Sequence, residues 1–387
     1  MSRTIESPIR VMRIIARMNV GGPAVQVSGL MRGFNSTEFD HRLYTGYCAS
    51  DEADYLDTVA TDVNAVRIQG FGRRVSLGAD IKAFITLVKE IRSFKPHVIH
   101  THTAKAGFLG RIASIVSLRR SIRVHTFHGH LLNGYFGSFK RSLVVIAEKS
   151  LALFTDELLA VGDKVRQDLL NAGIGSKDKF GLMPPGLGIG SLSPIAESQR
   201  VLGMSSDRLQ CAFIGRVTQI KRPDRFLDVV SEIKKRGVEL DFFIAGDGEL
   251  LEMCRERIKK EDLPVTVLGW QSDIERVLSA ADIVVLTSDN EGTPLSLIQA
   301  GMAGLPVVTT NVGSVPEVVL DGVTGFITAL DVEQIADALE KLVADKGLRA
   351  QYGDAAQKFT LSHFGVKRLV SDHEELYKKL IASRAKP

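Results

Sequence analysis

Short runs rich in Val, Ile and Phe recur along the chain, separated by amphipathic helical stretches. They occupy residues 10–16 (Arg-Val-Met-Arg-Ile-Ile-Ala), 97–100, 210–214, 240–244, 265–268, 282–286 and 306–309. Both faces of these runs are apolar, the pattern of strands in a parallel sheet covered by helices on either side. Between them, residues 80–94 carry Ile81, Phe84, Ile85, Val88 and Ile91 at helical spacing. Strand-then-helix alternation over the whole length predicts a doubly wound α/β architecture. At about 150 residues per domain, 387 residues correspond to two or three domains. The Pro-, Gly- and Ser-rich stretch 181–206 is expected to link two halves, residues 1–190 and 191–365. The segment 366–387 contributes a further amphipathic helix, with Val366, Leu369, Val370, Leu376, Leu380 and Ile381 on its apolar face.

Composition removes several function classes. Lys and Arg number 49 against 45 Asp and Glu, net +4, with both signs interspersed. A dedicated nucleic-acid binder shows a clustered cationic excess instead, so no nucleic-acid partner is expected. Cys48, Cys211 and Cys254 lie far apart, which encodes neither a zinc site nor a disulfide framework and suits a reducing compartment. No run reaches the roughly 18 apolar residues of a spanning helix, so a cytoplasmic protein is expected, touching a membrane only peripherally.

Polar and glycine-rich residues follow the strands, at the edge where open α/β sheets bind ligands. Asn19-Val20-Gly21-Gly22-Pro23-Ala24 opens a helix whose exposed amides suit an anion, although a glycine pair alone reads first as a plain βα turn. In Gly215-Arg216-Val217-Thr218-Gln219-Ile220-Lys221-Arg222-Pro223, Arg216 and Lys221 stand near a helix start and can neutralise a diphosphate. Ser288-Asp289-Asn290-Glu291-Gly292-Thr293-Pro294-Leu295 leads into a helix near Pro294 that carries Gln299. Glu291 can accept hydroxyl hydrogen bonds there, while amides of Gly292, Thr293 and Leu295 face an anion. The plainer role for Glu291 is an acidic helix cap. Six of the nine histidines fall between His97 and His130. No carboxylate or cysteine completes a metal pattern among them, so the expectation is a single histidine at a strand end, facing a cleft, and no metal.

The series Gly21-Gly22, Gly215-Arg216…Lys221, Gly246-Asp247-Gly248 and Glu291–Pro316 resembles the retaining GT-B glycosyltransferases of family 4 (glycosyl transferases group 1), over essentially the whole chain. The resemblance implies two Rossmann-like doubly wound domains facing a cleft. The first would hold the acceptor, the second a nucleotide-diphosphate sugar donor, and the C-terminal helix would cross back to the first domain. It implies catalytic roles for His128 and Glu291. It implies donor contacts from Gly22, Arg216, Lys221, Gly292, Thr293, Leu295 and Gln299, with Trp270 near the base. One position departs from the pattern: Gln299 stands eight residues after Glu291, where the family carries a second glutamate for the ribose. An amide oxygen still accepts from one ribose hydroxyl. Ser314 likewise stands where a second glycine is common.

The implied reaction retains anomeric configuration by front-face attack. Preorganised cations and amide dipoles stabilise the leaving phosphate, and neither a protein nucleophile, a cofactor nor a divalent cation is needed. The implied acceptor is a glycan or a lipid-linked sugar. Residues 105–150 combine Lys105, Arg111, Arg119, Arg120, Arg123, Lys140 and Arg141 with Phe108, Leu109, Tyr135, Phe136 and Phe139. That composition suits an anionic membrane surface, and equally an ordinary basic face. The rival functions are a nucleotide-sugar 2-epimerase of the same architecture and a non-catalytic nucleotide-sugar binder. A nicotinamide dehydrogenase lacks its glycine fingerprint after the first strand.

Overall fold

A computed structural model describes residues 7–50, 52–129, 138–205 and 207–384. The chain divides into two units, Met1–Leu187 with Val366–Pro387, and Gly188–Gly365.

The first unit is built on a seven-stranded parallel sheet. Its strands are β1 (Ile9–Ile15), β2 (Phe39–Thr45), β3 (Ala65–Arg67), β4 (Val98–His102), β5 (Ile122–Phe127), β6 (Glu157–Ala160) and β7 (Phe180–Leu182). They lie in the order β3-β2-β1-β4-β5-β6-β7. The chain winds outward from β1, returns, and winds the other way from β4, so the strand order switches between those two. Ile9, Val11, Val98 and Val124 form a core with Leu30 of the helix Gly22–Gly33 and Phe34 just past its end, and with Leu369 and Tyr377 of the helix Val366–Arg384. Val366 begins that last helix by donating its N–H to the Leu187 carbonyl at 3.0 Å.

The predicted helix at 80–94 spans Leu77–Phe94 and ends at Lys95, whose φ of 52° closes the last turn. Its buried stripe is Ala83, Leu87, Ile91 and Phe94, and Ile81 and Ile85 stay exposed. The apolar face is rotated from the expected one because alanine, absent from the hydrophobic pattern, makes the close contact with the sheet.

The second unit carries a six-stranded parallel sheet. Its strands are β8 (Leu209–Ile214), β9 (Leu240–Ala245), β10 (Val265–Gly269), β11 (Ile283–Leu286), β12 (Val307–Thr310) and β13 (Gly325–Thr328). The order β10-β9-β8-β11-β12-β13 places the switch between β8 and β11. Cys211, Phe213, Phe242, Ile283 and Val285 from the strands pack with Phe226, Val230, Ile335 and Leu339 from helices.

The stretch 181–206 is not one irregular linker. Its first residues complete β7, and Ile195–Val201 is a helix of the second unit, where Gln199 donates to the Ala280 carbonyl at 3.2 Å. Proline and glycine cluster only in the part between them, residues 183–194.

Candidate active site

The site in the second unit forms where the loops after β8 and β11 meet. After β8 the chain turns through Gly215, runs through a short 3-10 turn Gln219–Lys221, and passes Arg222 (φ 52°) into the helix Pro223–Lys235. After β11 it runs through Ser288–Pro294 into the helix Leu295–Met302. Several hydrogen bonds join the loops. The Asp289 N–H donates to the Ile220 carbonyl at 2.9 Å, and Thr287 Oγ1 to the Arg222 carbonyl at 3.0 Å. Arg225 donates to the Thr287 carbonyl at 2.6 Å and to Asp289 at 2.7 Å.

On that frame Glu291, only 8% exposed, accepts two hydrogen bonds at Oε1, from Lys221 Nζ at 2.5 Å and from Ser288 Oγ at 2.6 Å. Its Oε2 has no partner among the described residues. No side-chain hydrogen bond caps the helix after Pro294, and Glu291, three residues ahead of Pro294, turns its Oε1 to Lys221 and Ser288. The backbone around Glu291 is fixed from β12's loop. Gly313, at φ 53°, lies so close that an added Cβ would fall 1.7 Å from the Glu291 carbonyl oxygen. Ser314 N–H donates to the Glu291 and Gly292 carbonyls at 3.3 and 3.2 Å.

The amides of Gly292 and Leu295 have no acceptor among the described residues; that of Leu295 is a donor of the helix's first turn, and that of Gly292 lies in the loop ahead of it. Thr293 sits between them, and Gln299 follows on the same helix, partly buried. Arg216 is exposed and has no ion-pair partner among the described residues. Arg222, the third cation of the loop, is committed to Asp224 and Asp289, and those bonds raise its already high pKa. Trp270 follows β10 at the same sheet edge and is 42% exposed. Lys221, Arg216, Glu291, Gly292, Thr293, Leu295, Gln299 and Trp270 thus share one edge of one sheet. Sequence reasoning gave Ser288 no role, yet it supplies the second hydrogen bond to Glu291.

Gly22 and His128 belong to the first unit. Gly22 starts the helix after β1, behind Gly21 at φ 155°, and its amide has no acceptor among the described residues. His128 follows β5 and is partly buried. Burial, then the nearby Arg13 charge, pushes its pKa down to about 3, so the ring is neutral. Its Nε2 lies 2.8 Å from His102 Nδ1.

The basic stretch 105–150 is less of a surface than its composition suggests. Arg111 is 1% exposed and pairs with Glu148 at 2.6 Å, and Lys105 pairs with Asp80 at 2.5 Å. Arg119, Arg120 and Phe108 are exposed, whereas Leu109 packs against the core. Tyr135, Phe136 and His130 lie outside the described residues, as do the side chains of Phe139, Lys140 and Arg141. Among the described residues no His, Cys, Asp or Glu group is arranged to hold a metal ion, and no helix is long and apolar enough to cross a membrane.

Known proteins share both halves. Residues 194–359 match the family described as glycosyl transferases group 1, and residues 21–186 match the glycosyl transferase 4-like domain. The chain is 28% identical over 345 residues to the UDP-Gal:alpha-D-GlcNAc-diphosphoundecaprenol alpha-1,3-galactosyltransferase of Escherichia coli, covering 86% of this chain and 87% of that protein. It is 24% identical over 319 residues to the capsular polysaccharide biosynthesis glycosyltransferase CapM of Staphylococcus aureus, covering 79% and 82%. Among solved structures, Anabaena HepE in complex with UDP and glucose superimposes with a TM-score of 0.82 at 19% identity, over 96% of this chain and 99% of that one. Sucrose-phosphate synthase from Thermosynechococcus elongatus gives 0.82 at 17% identity, over 97% and 100%. These two likenesses establish the GT-B fold. The chain belongs to the group 1 glycosyltransferases, with a glycosyl transferase 4-like N-terminal domain, and is an enzyme that transfers sugar from nucleotide sugars.

Proposed function

We propose that the enzyme moves a hexose from a UDP-sugar to a lipid-linked sugar acceptor with retention of anomeric configuration. One observation carries the reading: a carboxylate with one open oxygen, Glu291, is hydrogen-bonded to Lys221 at the β8/β11 switch, beside two unpartnered amides. A sugar diphosphate needs that combination. Lys221 and Arg216 neutralise the diphosphate, and the amides of Gly292, Thr293 and Leu295 take its remaining oxygens. Glu291 Oε2 accepts hydroxyls of the transferred sugar. Gln299 meets the ribose and Trp270 the base. The family resemblance assigns Gly22 to the leaving phosphate and His128 to the reacting sugar. The leaving phosphate takes the acceptor's proton as the new bond forms on the same face, so no protein nucleophile enters the reaction.

Support for UDP comes from the Escherichia coli relative, whose donor is UDP-Gal, and from Anabaena HepE, which binds UDP with glucose. The acceptor rests on the same relative, which acts on a diphosphoundecaprenol-linked sugar. Exposed Phe108, Arg119 and Arg120 on the first unit suit an approach to anionic lipid. The test is mass analysis and proton NMR of products from UDP-glucose, UDP-galactose and UDP-N-acetylglucosamine with diphosphoundecaprenol-linked N-acetylglucosamine. A product heavier by one hexose, with the α linkage of the donor, is expected. A modified nucleotide sugar formed without acceptor would replace this reading with an epimerase. Tight donor binding with no product at all would replace it with a sensor.

A further inference from the structure

The interior of the first unit holds a polar chain that donor binding does not explain. Arg13, on β1, is fully buried and has no carboxylate partner among the described residues. Its Nε donates to His41 Nε2 at 2.9 Å, and one terminal nitrogen donates to the Tyr377 hydroxyl at 2.9 Å. The other terminal nitrogen lies 2.6 Å from His102 Nε2 and 3.4 Å from His100 Nδ1. A guanidinium only donates. Each ring nitrogen facing it is therefore a bare acceptor, and the ring's hydrogen sits on the other nitrogen. His102 thus carries its hydrogen on Nδ1 and donates it across 2.8 Å to His128 Nε2. His128 must then carry its own hydrogen on Nδ1. No hydrogen-bond partner meets that nitrogen among the described residues, and the ring remains partly accessible past the end of β5.

The second branch agrees. The Tyr377 hydroxyl accepts from Arg13 and donates to His100 Nδ1 at 2.5 Å, and His100 Nε2 donates to Thr126 Oγ1 at 2.7 Å. Every hydrogen runs away from Arg13, and none is contested. We propose that Arg13 and His102 are positioning residues that lock His128 as a neutral ring with its Nδ1–H outward, making it a hydrogen-bond donor to a substrate oxygen. His128 then cannot take a proton from the acceptor at Nε2, because that lone pair is occupied. The part played in transfer rests on the function proposed above, but the assignment of the ring's hydrogen does not.

The experiment is a long-range proton–nitrogen spectrum of the full chain labelled with [15N]histidine, the His128 signals being assigned by their loss in His128→Asn. Expected is a protonated Nδ1 and a bare Nε2, with the Nδ1–H line moved by at least one of UDP, UDP-glucose, UDP-galactose or the diphosphoundecaprenol-linked acceptor. In His102→Phe the ring reverts toward the Nε2–H form, and kcat falls about tenfold while KM for the donor stays within about twofold. His102→Gln, whose amide oxygen accepts from Arg13 and whose NH2 donates onward, recovers most of the lost turnover. An Nε2–H ring in the wild type, a line that no ligand moves, or a His102→Phe variant with wild-type tautomer and kcat overturns the proposal. If His102→Phe does not fold, the wild-type spectrum alone decides. Full turnover in Lys221→Ala would instead refute the proposed function and leave the tautomer of His128 as the spectrum shows it.

Discussion

Lys221 Nζ sits 2.5 Å from Glu291 Oε1, tying the loop after β8 to the loop after β11 across the strand-order switch of the second sheet. Because each group is held in place by the other, the two are expected to act as a unit. Lys221→Ala and Glu291→Ala each lower kcat by about 10²–10³-fold, and the double variant is little worse than either single one. Steady-state kinetics on variants with wild-type circular dichroism measure this. Independent, multiplying losses would show that the pair is not coupled.

In the proposed reaction Arg216 and Lys221 provide the positive charge that a divalent cation supplies in other diphosphate-cleaving sites. Turnover in excess EDTA is therefore expected to stay within about twofold of the untreated enzyme. A tenfold fall, restored by Mg2+ or Mn2+, would remove both residues from that role.

Gly313 can be replaced only at the expense of the Glu291 backbone. Alanine there adds a Cβ 1.7 Å from a carbonyl oxygen and puts a side chain at φ 53°. Strain of this kind amounts to about 1–3 kcal/mol per residue, and the contact adds to it. Gly313→Ala is expected to lower the melting temperature and to weaken donor binding together, read by thermal unfolding and isothermal titration. Gly203, which has open space around it, serves as the control at a similar φ of 69°.

The strands that the sequence made visible are the apolar runs β1, β4, β8, β9, β10, β11 and β12, largely buried except for β10, an edge strand whose residues are half-buried or exposed. The strand β2 escaped because Asp40, His41 and Arg42 interrupt its apolar run, and β3, β6, β7 and β13 because they are three or four residues long without the run of three or more β-branched residues that reveals the equally short β11 and β12. Glu291 and Lys221 were legible for a different reason. Each lies within a few residues of the turn that positions it, so local pattern sufficed. The Arg13 chain was not, since it joins β1, β4 and the residue after β5 to Tyr377, 364 positions away in sequence. A trace of it was present nonetheless. Arg13 is a cation between Met12 and Ile14 in the middle of β1, and His100 and His102 alternate so as to share one face of the neighbouring β4.

Arg111 and Glu148 form a buried ion pair whose side chains are 1% and 4% exposed. Removing one partner strands a charge, which costs about 3–5 kcal/mol, whereas replacing both by apolar residues is close to neutral. Arg111→Met and Glu148→Leu are each expected to destabilise the protein, and the double variant to recover most of the loss in urea unfolding. Binding to anionic vesicles is expected to be unchanged in Arg111→Met if the variant is kept folded, because Arg111 presents no charge to the surface. A drop matching that of Arg119→Ala would contradict the burial.

The same unit is expected to be the acid-sensitive one. Burial, followed by the Arg13 charge, holds His41, His100 and His373 well below the ordinary histidine value; in His102 the neighbouring His100 acts before Arg13. For His373 the folded value is about 3, against about 6.5 in the unfolded chain. Between those values the unfolded chain binds a proton that the folded chain refuses. The stabilisation is complete above pH 6.5 and is lost as pH falls from there toward 3, by about 1.4 kcal/mol per pH unit for each such ring. The second unit contains a single histidine, His363, which is exposed. It also contains the chain's one tryptophan, Trp270. Lowering pH from 7 to 5 is therefore expected to reduce far-UV ellipticity before tryptophan fluorescence changes. His373→Leu should make the urea midpoint of the ellipticity transition less dependent on pH. Coincident loss of both signals, or an unaltered pH slope in that variant, would show that these rings are not what acid attacks.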